Sequence, residues 1–379
     1  MAPSKTPAVE LEVEGRTVRV TSPDRLVFPE RGLTKLDVVQ YFVSVGAGIL
    51  GALRERPTTL ERWPKGVFEG ARLSTRTDST GDAFFQKRVP QGAPDYVETC
   101  TIAFPSGRTA DEVCPTELAV VAWAANMGTL TFHPWPVLRA DVDAPDQLRI
   151  DLDPQPGTDY ADAARVAPEL RAILEEHGLQ GFPKTSGGRG LHVFVPIQAH
   201  WTFTQARRAT IAVGRELERR LPEQVTTKWW KEERGSKIFV DYNQMARDRT
   251  IASAYSIRAN PRATVSAPLR WDEVPDVHPD DFDVLSVPAR FAEVGDLFAP
   301  LGPDRSGLPD DGFSIRSLLD LADKDERDHG LGDLPYPPEY PKMPGEPKRV
   351  QPSRDRDRPA APADADAPAQ DRPGARGTA

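Results

Sequence analysis

The apolar positions of this chain fall into alternating strand-like and helix-like runs. The segment LEVEGRTVRVTS alternates apolar and polar residues around Glu14-Gly15, the pattern of a hairpin. From Leu36 to Leu53 the apolar spacing is helical and predicts a helix with one face in the core. Residues 66–95 are rich in Gly, Asp, Ser and Thr around the sequence FFQKRVP and read as a long loop, a length that usually accompanies function. A helix around Thr116–Met127, the strands TLTFHP and QLRIDLDP, and a helix around Tyr160–His177 that stops at Gly178 follow. The loop KTSGGRG leads into the apolar strand LHVFVPI, then come a helix over about Phe203–Leu221 and the strand KIFVDY. This alternation implies an α/β or α+β catalytic domain.

From about Pro268 the chain turns acidic and proline-rich, although FSIRSLLDLAD still predicts a short helix. The reading is therefore a catalytic domain over residues 1–271, a separate acidic C-terminal extension over 272–341, and a tail over 342–379. The tail holds Pro, Ala, Asp and Arg without large apolar residues, so it is expected to be disordered.

Composition changes this picture in three places. At 379 residues and 39% hydrophobic content the chain can bury a sizeable core. A net charge of -9 argues against a nucleic-acid partner until its distribution is read. Residues 1–271 sum to +2, 272–341 to -13 and 342–379 to +2, so the acidity belongs to the extension and leaves room for a local basic groove. Cys100 and Cys114 are too few for a disulfide framework or a thiolate zinc site and read as ordinary buried thiols. No run of about 18 apolar residues appears and MAPSKTPAVE lacks the apolar core of a signal peptide, so the expected location is cytoplasmic, with no membrane partner.

The candidate chemistry starts in RIDLDP, where period-two alternation points Asp151 and Asp153 to one face. Adjacent carboxylates repel each other, and a divalent cation such as Mg²⁺ or Mn²⁺ relieves that repulsion. Asp241 ends the strand KIFVDY and is a third candidate; three carboxylates can hold two ions. On the bland reading these are an acidic strand end and a turn residue. TSGGRGLH combines Ser186, a glycine-rich turn, Arg189 and His192, a set whose backbone N–H groups and guanidinium suit phosphate, although alone it reads as a tight hairpin turn. His133 in TLTFHP is expected to face the same cleft as the carboxylates, and Arg258 in AYSIRANP to reach a triphosphate; the bland alternatives are a structural histidine and a surface ion pair.

Taken together, FFQKRVP, TFHP, IDLDP, TSGGRGLH, VDYNQ and YSIR occur in the order found in the polymerase domain of bacterial ligase D. Over roughly residues 20–270 the chain resembles that non-homologous end-joining polymerase and its stand-alone mycobacterial-type relatives in the primase-polymerase superfamily. The resemblance implies a primase-polymerase catalytic domain whose RRM-like sheet carries the metal triad Asp151, Asp153 and Asp241. It implies that His133, Ser186, Arg189, His192 and Arg258 contact the incoming nucleotide. Arg25 and Lys35 match the pair that grips a DNA 5′-phosphate, Phe84 and Phe85 match loop aromatics that stack on the template, and Arg234 matches an arginine that organises template and nucleotide.

The activity so implied is template-dependent, two-metal addition of nucleotides, preferentially ribonucleotides, to a primer 3′-hydroxyl at short gaps or broken ends. The cofactors are two Mn²⁺ or Mg²⁺ ions and the substrates NTP or dNTP. The partners are gapped or broken DNA with a 5′-phosphate, a separate ATP-dependent DNA ligase, since no Lys-x-Asp-Gly motif is present, and Ku, with the protein a monomer associated with the nucleoid when bound to DNA. Two features depart from the family pattern: Arg189 stands where many relatives carry lysine, and VFEGARLSTRTDSTGDAFFQKR is longer than expected. The alternatives are a primer-synthesising primase, a catalytically silent DNA-end-binding module and a metal-dependent nuclease; a pure binder gains nothing from carboxylates facing phosphate.

Overall fold

The computed structural model describes residues 7–74, 79–104, 108–247, 249–302, 307–309 and 312–336. Alternating apolar and charged residues make Gln147–Pro154 the middle strand of a five-stranded sheet. Its neighbours are Leu191–Pro196 and Ile238–Val240, and the outer strands are Phe182–Thr185 and Val225–Thr226. Every pairing is antiparallel except that of Val225–Thr226 with Ile238–Val240. Leu148, Ile150 and Leu152 are buried under the helices Tyr160–Glu176 and Phe203–Arg220, whose first turns are closed by capping boxes at Asp159 and Thr202. Period-two alternation therefore sends Arg149, Asp151 and Asp153 to the other face.

A second, antiparallel sheet is built on Thr58–Arg62. Thr129–Pro134 pairs along one side of it; Phe84–Gln86 and Thr109–Val113 pair along the other, with Thr99–Ala103 outermost. Residues 253–269 join the two sheets. The N–H groups of Ser253 and Ile257 in this segment donate to the carbonyls of Phe132 and Leu130 at 2.9 and 3.0 Å, while the N–H groups of Thr185 and Leu269 donate to the carbonyls of Ala267 and Pro183, each at 2.9 Å. The Arg149 guanidinium fills the remaining angle by donating to the carbonyls of Pro134 and Trp135.

The mixed α/β fold and the N-terminal hairpin, Ala8–Val13 with Arg16–Thr21, match the sequence reading; Glu14 and Gly15 turn with φ of 49° and 83°. Three local expectations are corrected. The single helix over Leu36–Leu53 is two, Lys35–Ser44 and Gly46–Leu53, bent by 79°. A Cβ on Gly46 would lie 2.4 Å from the Leu118 side chain and one on Gly48 2.5 Å from Tyr255, so the glycines let the second piece tuck beneath its neighbours. Within the expected long loop, Phe84–Gln86 forms a strand because Leu60–Arg62 pairs with it, a long-range choice that local composition does not report; residues 75–78 of that loop lie outside the described residues.

The third correction concerns the acidic segment, which packs on the domain instead of standing apart. Val274, Phe282, Phe298, Leu301, Ile315 and Leu318 are buried in the same apolar cluster as Leu148 and Ile150. The change at residue 271 is one of charge, not of packing. FSIRSLLDLAD belongs to a longer helix, Arg316–His329, which lies against Phe203–Arg220. The disorder expected of residues 342–379 falls outside the described residues.

The fold also contains a buried ion pair. Arg56, 0% exposed, donates to both carboxylate oxygens of Asp146, 2% exposed, at 2.6 and 2.8 Å. Arg56→Ala takes the bidentate partner from a buried carboxylate and is expected to cost about 3–5 kcal/mol. Urea unfolding monitored by circular dichroism measures this, and a loss below about 1 kcal/mol would contradict the assignment.

Candidate active site

Backbone register assembles the site. Lys184 is paired opposite His192, and His192 opposite Asp151. On the other side Val240 is registered with Leu152, and the next residue, Asp241, donates its N–H to the Asp151 carbonyl at 2.9 Å. Residues directly opposite across a ladder share a face. Lys184, His192, Asp151 and Asp241 thus form a row across the face away from the helices, with Asp153 one step further along its strand.

Each carboxylate has a local partner. An Asp153 oxygen accepts from the Gln155 amide at 2.9 Å, and Gln155 in turn accepts from Arg234 at 3.4 Å. Asp241 caps the turn Tyr242–Met245: its side chain accepts from the Asn243 N–H at 2.9 Å and the Gln244 amide at 3.3 Å. Among the described residues no three His, Cys, Asp or Glu side chains are gathered into a ready coordination sphere. The backbone supplies the neighbourhood, and the carboxylates are parked on hydrogen-bond donors within it.

His192 is buried, with Nε2 3.6 Å from Asp151 and Nδ1 2.8 Å from the Lys184 amine. Burial above all, then the positive charges of Lys184, Arg258 and Arg149, holds its pKa well below the usual histidine value. An ammonium can only donate, so Nδ1 accepts from Lys184 and the ring proton sits on Nε2, toward Asp151.

The glycine turn works differently from the expectation. The Ser186 hydroxyl accepts from the N–H groups of Gly188 and Gly190 at 3.1 and 3.0 Å, so those amides hold the turn closed instead of facing a phosphate. The Arg189 side chain is left exposed beside the Pro154 carbonyl. Arg258, 6% exposed, crosses directly over Gly187.

The remaining candidates divide. His133 lies on the second sheet, not the carboxylate-bearing one; its Nε2 is 2.9 Å from Glu61, Phe85 packs edge-on to its ring at 5.3 Å, and its buried Nδ1 has no hydrogen-bond partner among the described residues. Phe84 and Phe85 are adjacent on one strand and so face opposite ways: Phe84 is exposed beside the Arg62 guanidinium, Phe85 covers His133. Arg234 is buried, stacked 3.5 Å over Phe239 and bonded to the carbonyls of Lys228 and Trp229. Arg25 and Lys35 do come together, since the Lys35 N–H donates to the Arg25 carbonyl at 2.8 Å. The Lys35 amine donates to Thr21 and Asn126, and burial, then the Arg25 charge, pushes its pKa down to about 8.

Sequence reasoning missed Lys184, Gln155 and Glu61. The first two had a signal, a lysine inside the apolar strand FPKT and an amide directly after IDLDP. Glu61 had none, because only pairing of Thr58–Arg62 with Thr129–Pro134 brings it to His133.

Comparisons with known proteins agree on a family. Residues 34–298 match the model described as LigD, primase-polymerase domain. The chain is 32% identical over 327 residues to the multifunctional non-homologous end joining protein LigD of Mycolicibacterium smegmatis, covering 86% of this chain and 40% of that protein. It is 32% identical over 259 residues to the bifunctional non-homologous end joining protein LigD of Bacillus subtilis, covering 68% and 39%. The chain thus spans about two fifths of the length of these relatives. Among solved structures, the polymerase domain from Mycobacterium tuberculosis ligase D in complex with DNA superposes with a TM-score of 0.67 at 31% identity, covering 75% of this chain and 97% of that one.

A test of the glycine turn follows. Gly187 has φ +73°, and a Cβ there would lie 2.4 Å from Arg258 Cγ. Gly187→Ala is expected to cost about 1–2 kcal/mol and to displace Arg258, which thermal unfolding and a crystal structure of the variant would register. Gly188→Ala, where the nearest atom is 3.5 Å away, serves as the mild control.

Proposed function

Because this chain belongs to the LigD primase-polymerase domain family, a family of nucleotidyltransferases, we propose that it extends primer 3′-hydroxyls opposite a template at short gaps and broken DNA ends. The observation that carries this reading is the row of side chains across one sheet face, in which Asp241 is hydrogen-bonded through its backbone to Asp151 and Asp153 stands one step away. All-oxygen donors of this kind suit Mg²⁺ and Mn²⁺. Asp151, Asp153 and Asp241 would hold two such ions by turning away from Gln155 and Asn243. Bound there, the ions supply charge neutralisation for the attacking hydroxyl and the leaving pyrophosphate.

The protein's own groups do the rest. Arg189 and Arg258 bind the triphosphate by charge-assisted hydrogen bonds, with Ser186 holding the turn that presents Arg189 and covers Arg258. Neutral His192 donates from Nε2 without adding charge beside Asp151. Glu61 occupies Nε2 of His133 and leaves Nδ1 for the 2′-hydroxyl of the incoming nucleotide, the group by which a ribonucleotide differs from a deoxyribonucleotide. Exposed Phe84 stacks on template, a contact worth roughly 1–3 kcal/mol, while Phe85 seats His133. Arg234 steadies Asp153 through Gln155. Arg25 and Lys35 take a 5′-phosphate across the gap, so that the finished product is a nick of the kind a DNA ligase seals.

The direct test is extension of a 5′-phosphorylated gapped primer with Mn²⁺ and each nucleotide set. Asp151→Ala is expected to lower the rate about a thousandfold, ~4 kcal/mol, and wild-type activity in that variant would end the proposal. Lys35 adds a pH signature. The phosphate stays dianionic above its second pKa of about 6, whereas Lys35 loses its proton near 8. Affinity for 5′-phosphorylated over 5′-hydroxyl gaps should therefore be highest between about pH 6 and 8 and fall above it, measured by fluorescence anisotropy, and Lys35→Ala should flatten the fall above pH 8.

A further inference from the structure

The five arginines of the helix Phe203–Arg220 that follow its first turn are Arg207, Arg208, Arg215, Arg219 and Arg220, and four of them are engaged by the acidic C-terminal segment. Arg208 pairs with Asp323, Glu326 and Asp333 at 2.6–3.1 Å, Arg219 with Asp325 at 3.0 Å, and Arg215 donates to the carbonyls of Leu331 and Gly332, each at 2.7 Å. These contacts guide the chain along the helix to Tyr336, which is 2% exposed. There the Arg207 guanidinium lies 3.8 Å from the Tyr336 ring and donates from one nitrogen to both the Pro335 carbonyl, at 2.7 Å, and the Asn243 side chain, at 3.0 Å. Asn243 in turn donates its N–H to Asp241. On its other side Arg207 faces Tyr242, 5.1 Å away, the residue after Asp241.

A continuous set of contacts therefore runs from the end of the described chain to a candidate metal ligand. A buried guanidinium keeps one orientation only if its surroundings over-determine it, and here the rings of Tyr336 and Tyr242 enclose it. We propose that the acidic C-terminal segment is a brace for the active site: Tyr336 and Pro335 lock Arg207, and Arg207 locks the turn Tyr242–Met245 that aims Asp241. Tyr336 and Arg207 are positioning residues, acting through Asn243. The brace, residues 316–336, lies beyond residues 34–298, which the family model matches. It gives the charge of residues 272–341 a purpose, because acidic side chains on this strap neutralise a helix that would otherwise repel itself. The proposal rests on the reading of Asp241 as a metal ligand for its consequence, though not for its geometry.

The experiment uses the full chain with Tyr336→Ala and Tyr336→Phe, the second keeping the ring against Arg207. Hydrogen–deuterium exchange on metal-free protein reads the amides of residues 241–246. Tyr336→Ala should speed their exchange roughly tenfold while the strands Gln147–Pro154 and Leu191–Pro196 keep wild-type protection, and Tyr336→Phe should match wild type. In parallel, calorimetric titration with Mn²⁺ plus a non-hydrolysable nucleoside triphosphate should show roughly tenfold weaker ion binding for Tyr336→Ala, with affinity for 5′-phosphorylated gapped DNA unchanged. Unchanged exchange at 241–246, or loosening spread evenly over the sheet, overturns the brace. The metal reading fails separately: if Asp241→Asn binds Mn²⁺ as wild type does, Asp241 is not a ligand, and the exchange result still decides whether the strap holds its turn.

Discussion

The register of one strand with its two neighbours is the constraint on which this molecule depends. Gln147–Pro154 is held on both sides, and a slip of one residue would send Asp151 and Asp153 into the apolar layer and Ile150 and Leu152 to the opposite face. The burial of Ile150 and Leu152 beneath two helices excludes that slip energetically, since each side chain contributes roughly 1.5–3 kcal/mol through burial. The same register aligns Lys184, His192, Asp151 and Asp241 without any of them having to find the others through side-chain contacts. A site built on ladder bonds is positioned more exactly than one carried by loops.

That geometry places like charges side by side, and the surrounding structure is arranged around the cost. Burial above all, then the charges of Lys184, Arg258 and Arg149, keeps His192 neutral, so the histidine adds no charge to the row. Gln155 and Asn243 offer donors to Asp153 and Asp241, which satisfies carboxylate oxygens in a partly desolvated place. The second sheet follows the same rule with Glu61, which is fully buried yet bonded to both Trp63 and His133. In each case a buried polar group is satisfied by a neighbour, which offsets the cost of taking it out of water.

The acidic extension illustrates how charge and packing can be read apart. Its composition suggested an independent appendage, yet Phe298, Ile315 and Leu318 sit in the main core and its acidic residues face the arginines of Phe203–Arg220. A strongly negative segment beside a nearly neutral domain is stable when the domain concentrates its own positive charge on one helix face. Net charge by residue range could show the imbalance but not that the two halves were complementary.

The sequence alone determined the element types of the longer periodic segments, the α/β class, and the family resemblance carried by IDLDP, TSGGRGLH and VDYNQ, because alternation and helical spacing are local properties of neighbouring residues. It also identified residues that the fold does gather, Asp151 with Asp241 and Arg25 with Lys35. Tertiary structure alone decided that Leu36–Leu53 breaks in two, that Phe84 and Phe85 part company, and that His133 belongs to the other sheet, with Glu61 against it. Each of these depends on a partner tens of residues away in the chain. Which strands pair is settled by the total apolar surface buried when the whole chain closes, and no window of neighbouring residues carries that sum.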